Sequence, residues 1–350
     1  MTFLPEIFKI DSRIIDKIEI FLEQNIRIYD SIIIVSGPSH SKRISEKINF
    51  AKIQFTRVTV ESNSFHDVQA LINISSRQCA DLLIAVGGGK VLDVVKRASL
   101  IMAIDNIVVP TIISHDGLIS PIAVIENDFG QSQSLPGRMP SGVIIDIDVV
   151  MSAPTRYIAA AAGDILSNIS ATNDWLLANN KTKEPINDLS FHLSRGAATS
   201  LVVSKTQNYR DQSFLMQLIL GQVNSGIAMS IAGTSRPCSG SEHLLSHAME
   251  FLRNVKKNVL HGSQVASTSL FTLYLQDKLS FDYLEYARVT GVELNFTNLL
   301  IDKNQTNLLE LFECARIMRP GRVTVLDNYN NNELLTKFIS YEAMLLNMGY

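Results

Sequence analysis

The stretch from Asp81 to Lys96, DLLIAVGGGKVLDVVK, constrains the fold more than any other part of this 350-residue chain. An apolar run of strand length meets three consecutive glycines, and apolar residues at 91, 92, 94 and 95 then repeat with helical spacing. A strand, a glycine turn and a helix in that order open a parallel-sheet unit. The same order prepares an anion site. Glycine has no Cβ to hold a ligand off the backbone, and the first N–H groups of the helix are unpaired at the positive end of its dipole. A phosphate or pyrophosphate suits that turn, although a tight strand-to-helix connection with no ligand would use the same residues.

Four more short apolar runs, 31–36, 53–60, 107–111 and 143–146, accompany the one at 82–86. Together they predict a parallel sheet covered on both faces, with 126–142 as a turn-rich connection or hairpin. From about residue 153 β-branched runs become rare, and 155–180, 196–208, 213–232, 242–257, 261–277 and 308–318 are long and apolar with helical spacing. The expected architecture is an α/β Rossmann-like N-terminal domain over 1–152 and an all-helical domain over 153–350. They would join near Pro154, with the active site in the cleft between them.

Composition narrows the partners. Hydrophobic residues at 46% and charged residues at 19% provide a large core and exclude a disordered chain. A net charge of −3 with mixed signs gives no basic face for nucleic acid. Cys79, Cys238 and Cys314 are odd in number and far apart, which suits a reducing compartment. The first residues lack a basic segment leading into an apolar one, and no apolar run reaches the roughly 18 residues of a membrane span. The expectation is a cytoplasmic protein with a small-molecule substrate, no nucleic acid and no membrane insertion; assembly into a homo-oligomer is left open.

Several polar residues stand where a ligand would need them. Gly37, in the loop after the first buried run, places backbone N–H groups near the adenosine side of a nucleotide. Glu61 follows 24 residues later at the end of the next strand, where a carboxylate accepts a ribose 2′-hydroxyl and favours NAD over NADP. In 110–121, PTIISHDGLISP, Thr111 and Ser114 are placed to bond a phosphate or the nicotinamide amide, and Asp116 a substrate hydroxyl. In the second half, Asp164 is an isolated carboxylate in a helical stretch. His243 and His247 lie one above the other at i and i+4, and His261 opens the next helix. Three of the chain's seven histidines thus fall within 19 residues. A carboxylate and two or three such imidazoles from different helices bind a divalent transition metal and leave positions open for a substrate.

These motifs resemble those of the iron-type alcohol dehydrogenase and dehydroquinate synthase superfamily, and within it the sn-glycerol-1-phosphate dehydrogenase family. GGGKxxDxxK at 87–96 is common to the superfamily. More selective are VPTxxSHDGxxSP at 109–121, GDxxSNxxAxxDW at 163–175, SRPxSGSEHxxSH at 235–247 and the tail RPGRVTVL at 319–326. The resemblance implies that Asp164, His243 and His261 bind the metal while His247 lines the pocket. It implies that Gly87, Gly88, Gly89 and Asp93 hold the pyrophosphate and ribose, with Lys90 and Ser120 counted among the cofactor residues. Thr111 and Ser114 would flank the nicotinamide, and Asp116 the substrate. Two positions depart from the pattern: Ser263 follows His261-Gly262 where a glutamate is usual, and Asn168 stands where a lysine is expected. Both bear on the substrate more than on the fold.

The chemistry so implied is hydride transfer between NAD or NADP and a ketone polarised by one divalent ion, Zn²⁺ first, with Fe²⁺ or Ni²⁺ as alternatives. In the family's reaction dihydroxyacetone phosphate becomes sn-glycerol 1-phosphate. His247 is a candidate proton donor, and Arg236, just before the His243 helix, a candidate for the substrate phosphate. The alternatives are a dehydroquinate-synthase-like cyclase, a dehydrogenase acting on another polyol or polyol phosphate, and a nucleotide-binding relic without activity.

Overall fold

The computed structural model describes residues 5–25, 27–114, 116–204, 208–209 and 211–350, the side chain of Asp116 excepted. The chain divides into two compact units, Met1–Pro154 and Thr155–Tyr350.

The first unit alternates strands and helices: β1 (Ile7–Asp11), α1 (Ile18–Glu23), β2 (Ser31–Ser36), α2 (His40–Ser45), β3 (Gln54–Thr59), α3 (Phe65–Arg77), β4 (Leu82–Gly87), α4 (Gly89–Met102), β5 (Asp105–Pro110), β6 (Ile122–Glu126), β7 (Ser132–Pro136), β8 (Gly142–Asp146) and α5 (Ile147–Met151). Six strands form one parallel sheet in the order β1-β8-β5-β4-β2-β3. Every residue of β2, β4, β5 and β8 is buried, as expected of strands covered on both faces, while β3 at the edge is half exposed. Ile32, Ile34, Leu82, Ile84, Ile107 and Val109 form the core beneath one face. The turn-rich 126–142 contains one arm of an antiparallel hairpin, β6–β7.

After β2 the chain runs outward to β3 and then returns past β2 to β4. The β2/β4 boundary is therefore the topological switch point, where open α/β sheets bind ligands beyond the strands' carboxyl ends. Ser36 is in register with Val86 there, so the turns beginning at Gly37 and Gly87 lie side by side.

The second unit is helical: α6 (Thr155–Thr182), α7 (Asp188–Val202), α8 (Gln212–Ala232), α9 (Ser241–Phe251), α10 (His261–Leu275), α11 (Phe281–Val289), α12 (Gln305–Ile317) and α13 (Asn331–Asn347). The expected helix at 196–208 begins earlier, because Asn187 caps it by accepting from the Ser190 N–H. The expected helix at 242–257 stops at Phe251, with Arg253 in a left-handed conformation. Phe271 of α10 packs against Phe296, Phe312, Phe338 and Tyr341 and anchors the C-terminal helices. By length and composition α8 alone among the described residues is apolar enough to cross a membrane, and 61% of its apolar window is buried inside this unit.

Candidate active site

The glycine turn lies at the switch point. Gly87 ends the buried strand β4, Gly88 caps α4, and Thr111 N–H donates to Gly87 O at 3.0 Å. A Cβ on Gly87 would come within 2.7 Å of Val91, and one on Gly88 within 2.6 Å of Ile112. Val91 also faces Gly37, whose N–H donates to Ser41 Oγ at 3.0 Å. The glycines thus let the turn fold down onto its own helix. Neither Gly87 nor Gly88 has positive φ, so close packing is what demands them. Glu61 is exposed just past the end of β3, and Ser114 is half-buried beyond β5. Lys90 is exposed, with Nζ 3.9 Å from Glu126.

Three residues of this unit expected at the cofactor are buried. Asp93 is buried and its Oδ1 meets Lys96 Nζ at 2.9 Å. Lys96, fully buried, also donates to Gly117 O at 2.8 Å and Ile122 O at 2.5 Å, so the pair ties α4 to the segment leading into β6. Burial pushes the Asp93 carboxyl up, against the pull of Lys96. Ser120 is buried with its hydroxyl toward Ile122 O, and Thr111 is buried at the end of β5. The side chain of Asp116 lies outside the described residues.

In the helical unit, α6, α9 and α10 bring Asp164, His243 and His261 together. One ligand atom from each lies within 4.8 Å of the others, and the first two side chains are buried. Small residues make this meeting possible. A Cβ on Gly163 would approach Ala266 to 2.4 Å and the carbonyl of Gly262 to 3.1 Å, so α6 and α10 cross where neither carries bulk. Gly240 is packed likewise, 2.6 Å from Asp174 Oδ2 by the same measure. Asp174, fully buried, accepts from the N–H of Ser241 at 2.7 Å and of Val325 at 2.8 Å, fixing the start of α9 against α6. Burial, then the neighbouring Glu242, pushes the Asp174 carboxyl up to about 6.

Each imidazole has one nitrogen occupied. His243 Nδ1 lies 3.0 Å from Oε1 of the fully buried Glu242, which also accepts from Ser170 Oγ at 2.7 Å and Gly240 N at 2.6 Å. His261 Nδ1 faces Ser246 Oγ at 3.3 Å and Glu250 at 3.8 Å. Gln264 joins that group, accepting from Ser246 and donating to Glu250. Burial, then the charge of His261, holds the His243 imidazole well below its usual range and so neutral. His247 packs 6.1 Å from His243 and 5.6 Å from His261 between ring centres, and burial pushes it down to about 3. A carboxylate and two imidazoles that approach this closely fit a divalent transition metal with open positions. Sequence spacing did not single out Glu242, Ser246 or Glu250, which orient the imidazoles.

Arg236, expected to meet a phosphate, is 2% exposed and filled by Glu184: Nε to Oε1 at 2.7 Å, Nη2 to Oε2 at 2.6 Å, with Nη1 on Val323 O at 2.9 Å. A two-pronged pair with a carboxylate uses the same donors a phosphate would. Asn168 is buried between α6, α7 and α8, donating to Ser225 Oγ at 2.8 Å and Ser194 O at 3.3 Å, so it is part of the helix packing. Although position 263 carries no carboxylate, Glu250 of α9 brings one to 3.8 Å from His261 Nδ1.

A six-stranded parallel sheet with a glycine turn at its switch point is thus followed by a helical unit that gathers one Asp and two His. The family model described as iron-containing alcohol dehydrogenase matches residues 9–154. The glycerol dehydrogenase of Schizosaccharomyces pombe shares the fold, with a TM-score of 0.76 at 18% identity over 99% of this chain and 92% of that one. Sequence relatives narrow the class. Glycerol-1-phosphate dehydrogenase, NAD(P)+, of Thermococcus sibiricus is 32% identical over 87% of this chain and 86% of its own length. That of Pyrococcus horikoshii is 35% identical over 84% and 85%. The chain belongs to the glycerol-1-phosphate dehydrogenase family.

Proposed function

We propose that this chain is a metal-dependent, NAD(P)H-linked dehydrogenase interconverting dihydroxyacetone phosphate and sn-glycerol 1-phosphate. The observation that carries the reading is the approach of Asp164, His243 and His261 to within 4.8 Å in a chain of this family. These three residues would hold one divalent ion, Zn²⁺ first, with Fe²⁺ or Ni²⁺ accepting the same donors; when bound it supplies Lewis-acid polarisation of the ketone oxygen. The dinucleotide supplies the hydride. Backbone N–H groups of Gly88 and Gly89 at the start of α4 receive its pyrophosphate, with Gly37 and Glu61 on the adenosine side. Ser114 and Thr111 stand at the end of β5 toward the nicotinamide.

The chain's other groups prepare and finish the transfer. Glu242 and the Ser246–Gln264–Glu250 group fix which nitrogen each ligand imidazole presents. His247, packed against both ligand rings, would relay a proton to the product oxygen, taking one from water at its second ring nitrogen as it gives one up at the first. Three unbridged cysteines support a reducing, cytoplasmic setting.

The test is NADH or NADPH oxidation by the purified protein with dihydroxyacetone phosphate, followed by chirality analysis of the product. Formation of the sn-1 enantiomer, abolished by a chelator and restored by Zn²⁺, supports the reading. Absence of turnover with every metal and both dinucleotides contradicts it.

A further inference from the structure

The tail motif 319–326 brings two arginines together in a specific geometry. Arg319 and Arg322 are the ends of a four-residue turn: Pro320 and Gly321 occupy its centre, Gly321 has φ +82°, and Arg322 N–H donates to Arg319 O at 3.1 Å. Proline then a positive-φ glycine at those positions is the pattern of a type II turn. Both guanidinium groups converge on one hydroxyl. Arg319 Nη1 donates to Ser235 Oγ at 2.6 Å and Arg322 Nη2 to the same atom at 3.0 Å, while Arg322 Nη1 holds Ser239 O at 2.6 Å.

Charge is unbalanced there. Among the described residues neither arginine has a carboxylate within salt-bridge reach, whereas Arg236 beside them takes Glu184 on two prongs. Two half-buried cations therefore face each other across a serine hydroxyl that gives no negative charge, with most of Arg319's five donors unspent. Burial, then the neighbouring arginines, pushes Arg322 down to about 9. The buried Ser239 hydroxyl has no hydrogen-bond partner among the described residues. Such an arrangement is complete only with an anion that accepts several N–H bonds at once. Its position bears on the reaction: Ser239 precedes the first turn of α9, which carries His243, and the charges of both arginines are felt at that imidazole.

We propose that Arg319, Arg322 and Ser235 form the subsite for the phosphoryl end of the substrate. This rests on reading the enzyme as a reductase of a phosphorylated ketone. It moves the role expected of Arg236 to two arginines that, among the described residues, have no carboxylate partner. Phosphate and a phosphorylated ketone share the chemistry this pair recognises, so both are probed.

The experiment compares wild type, Arg319→Ala and Arg322→Lys. Calorimetry on metal-free protein gives the affinity for inorganic phosphate, and steady-state kinetics compares dihydroxyacetone phosphate with dihydroxyacetone. Arg319→Ala should weaken phosphate binding about tenfold or more, and lower the kcat/KM preference for the phosphorylated ketone by a similar factor, chiefly through KM. Arg322→Lys keeps the charge without the fork and should fall between, with both variants retaining the wild-type circular dichroism spectrum. Unchanged phosphate affinity in Arg319→Ala, or equal losses on both ketones, would overturn the subsite. If wild type reduces neither ketone but binds phosphate in an Arg319-dependent way, the proposed function fails while the anion site stands.

Discussion

Nδ1 of each ligand imidazole in the helical unit has a polar neighbour, Glu242 for His243 and Ser246 for His261. Glu242 is next to His243 in sequence, and consecutive helical residues point to different faces, so spacing gives no reason to pair them. Only the burial of Glu242 beneath Ser170 and the Gly240 N–H turns its carboxylate toward Nδ1. Glu242→Gln keeps the size but removes the negative acceptor, and should weaken metal affinity by about 10–100-fold, read by chelator competition. Gly163→Ala tests the crossing itself. The new methyl meets Ala266 at 2.4 Å, which should cost about 1–3 kcal/mol in denaturant unfolding and lower metal affinity with it. The i, i+4 histidines and the lone Asp164 were legible from the sequence. The commitment of Arg236 was not, since it depends on Glu184, 52 residues away.

At the scale of elements, continuous apolar runs announced the buried strands β2, β4, β5 and β8, and the edges were harder. β1 is mostly exposed along Ile7–Asp11 and gains its place only by pairing with β8, more than 130 residues later. α13 carried a readable start, the Asn330 and Glu333 capping box, and a helical stripe of buried residues at Leu334, Phe338, Tyr341 and Leu345. The motif around Asp93 shows how a recognised pattern conceals a structural role. Its partner Lys96 is fully buried, so Lys96→Met leaves the acid alone in the core and should destabilise the protein by about 3–5 kcal/mol in urea titration. Lys96→Met combined with Asp93→Leu should recover most of that loss.

For the whole molecule, stability and activity draw on separate charges. Asp105 in the first unit accepts from Arg27, from Arg138 at 2.8 Å and from Tyr29 at 3.2 Å. Burial alone would raise its pKa, but the two arginines outweigh that and hold the carboxyl below the usual range. A carboxyl depressed on folding stabilises above its unfolded value, about 3.9, and that contribution is lost as pH falls through the folded value. Wild type should therefore exceed Asp105→Asn in stability at neutral pH, with the gap closing below about pH 4 in acid-unfolding curves. A gap that is constant across that range would remove Asp105 as its source.

The central claim is that Asp164, His243 and His261 share one divalent ion. Zn²⁺ titration into metal-free protein tests it most directly, in wild type and in Asp164→Asn, His243→Ala and His261→Ala, with NADH binding measured alongside. Wild type should bind one tight ion per chain, all three variants should lose it, and dinucleotide affinity should be unaltered in each. Tight, stoichiometric Zn²⁺ in any one of the folded variants would contradict it.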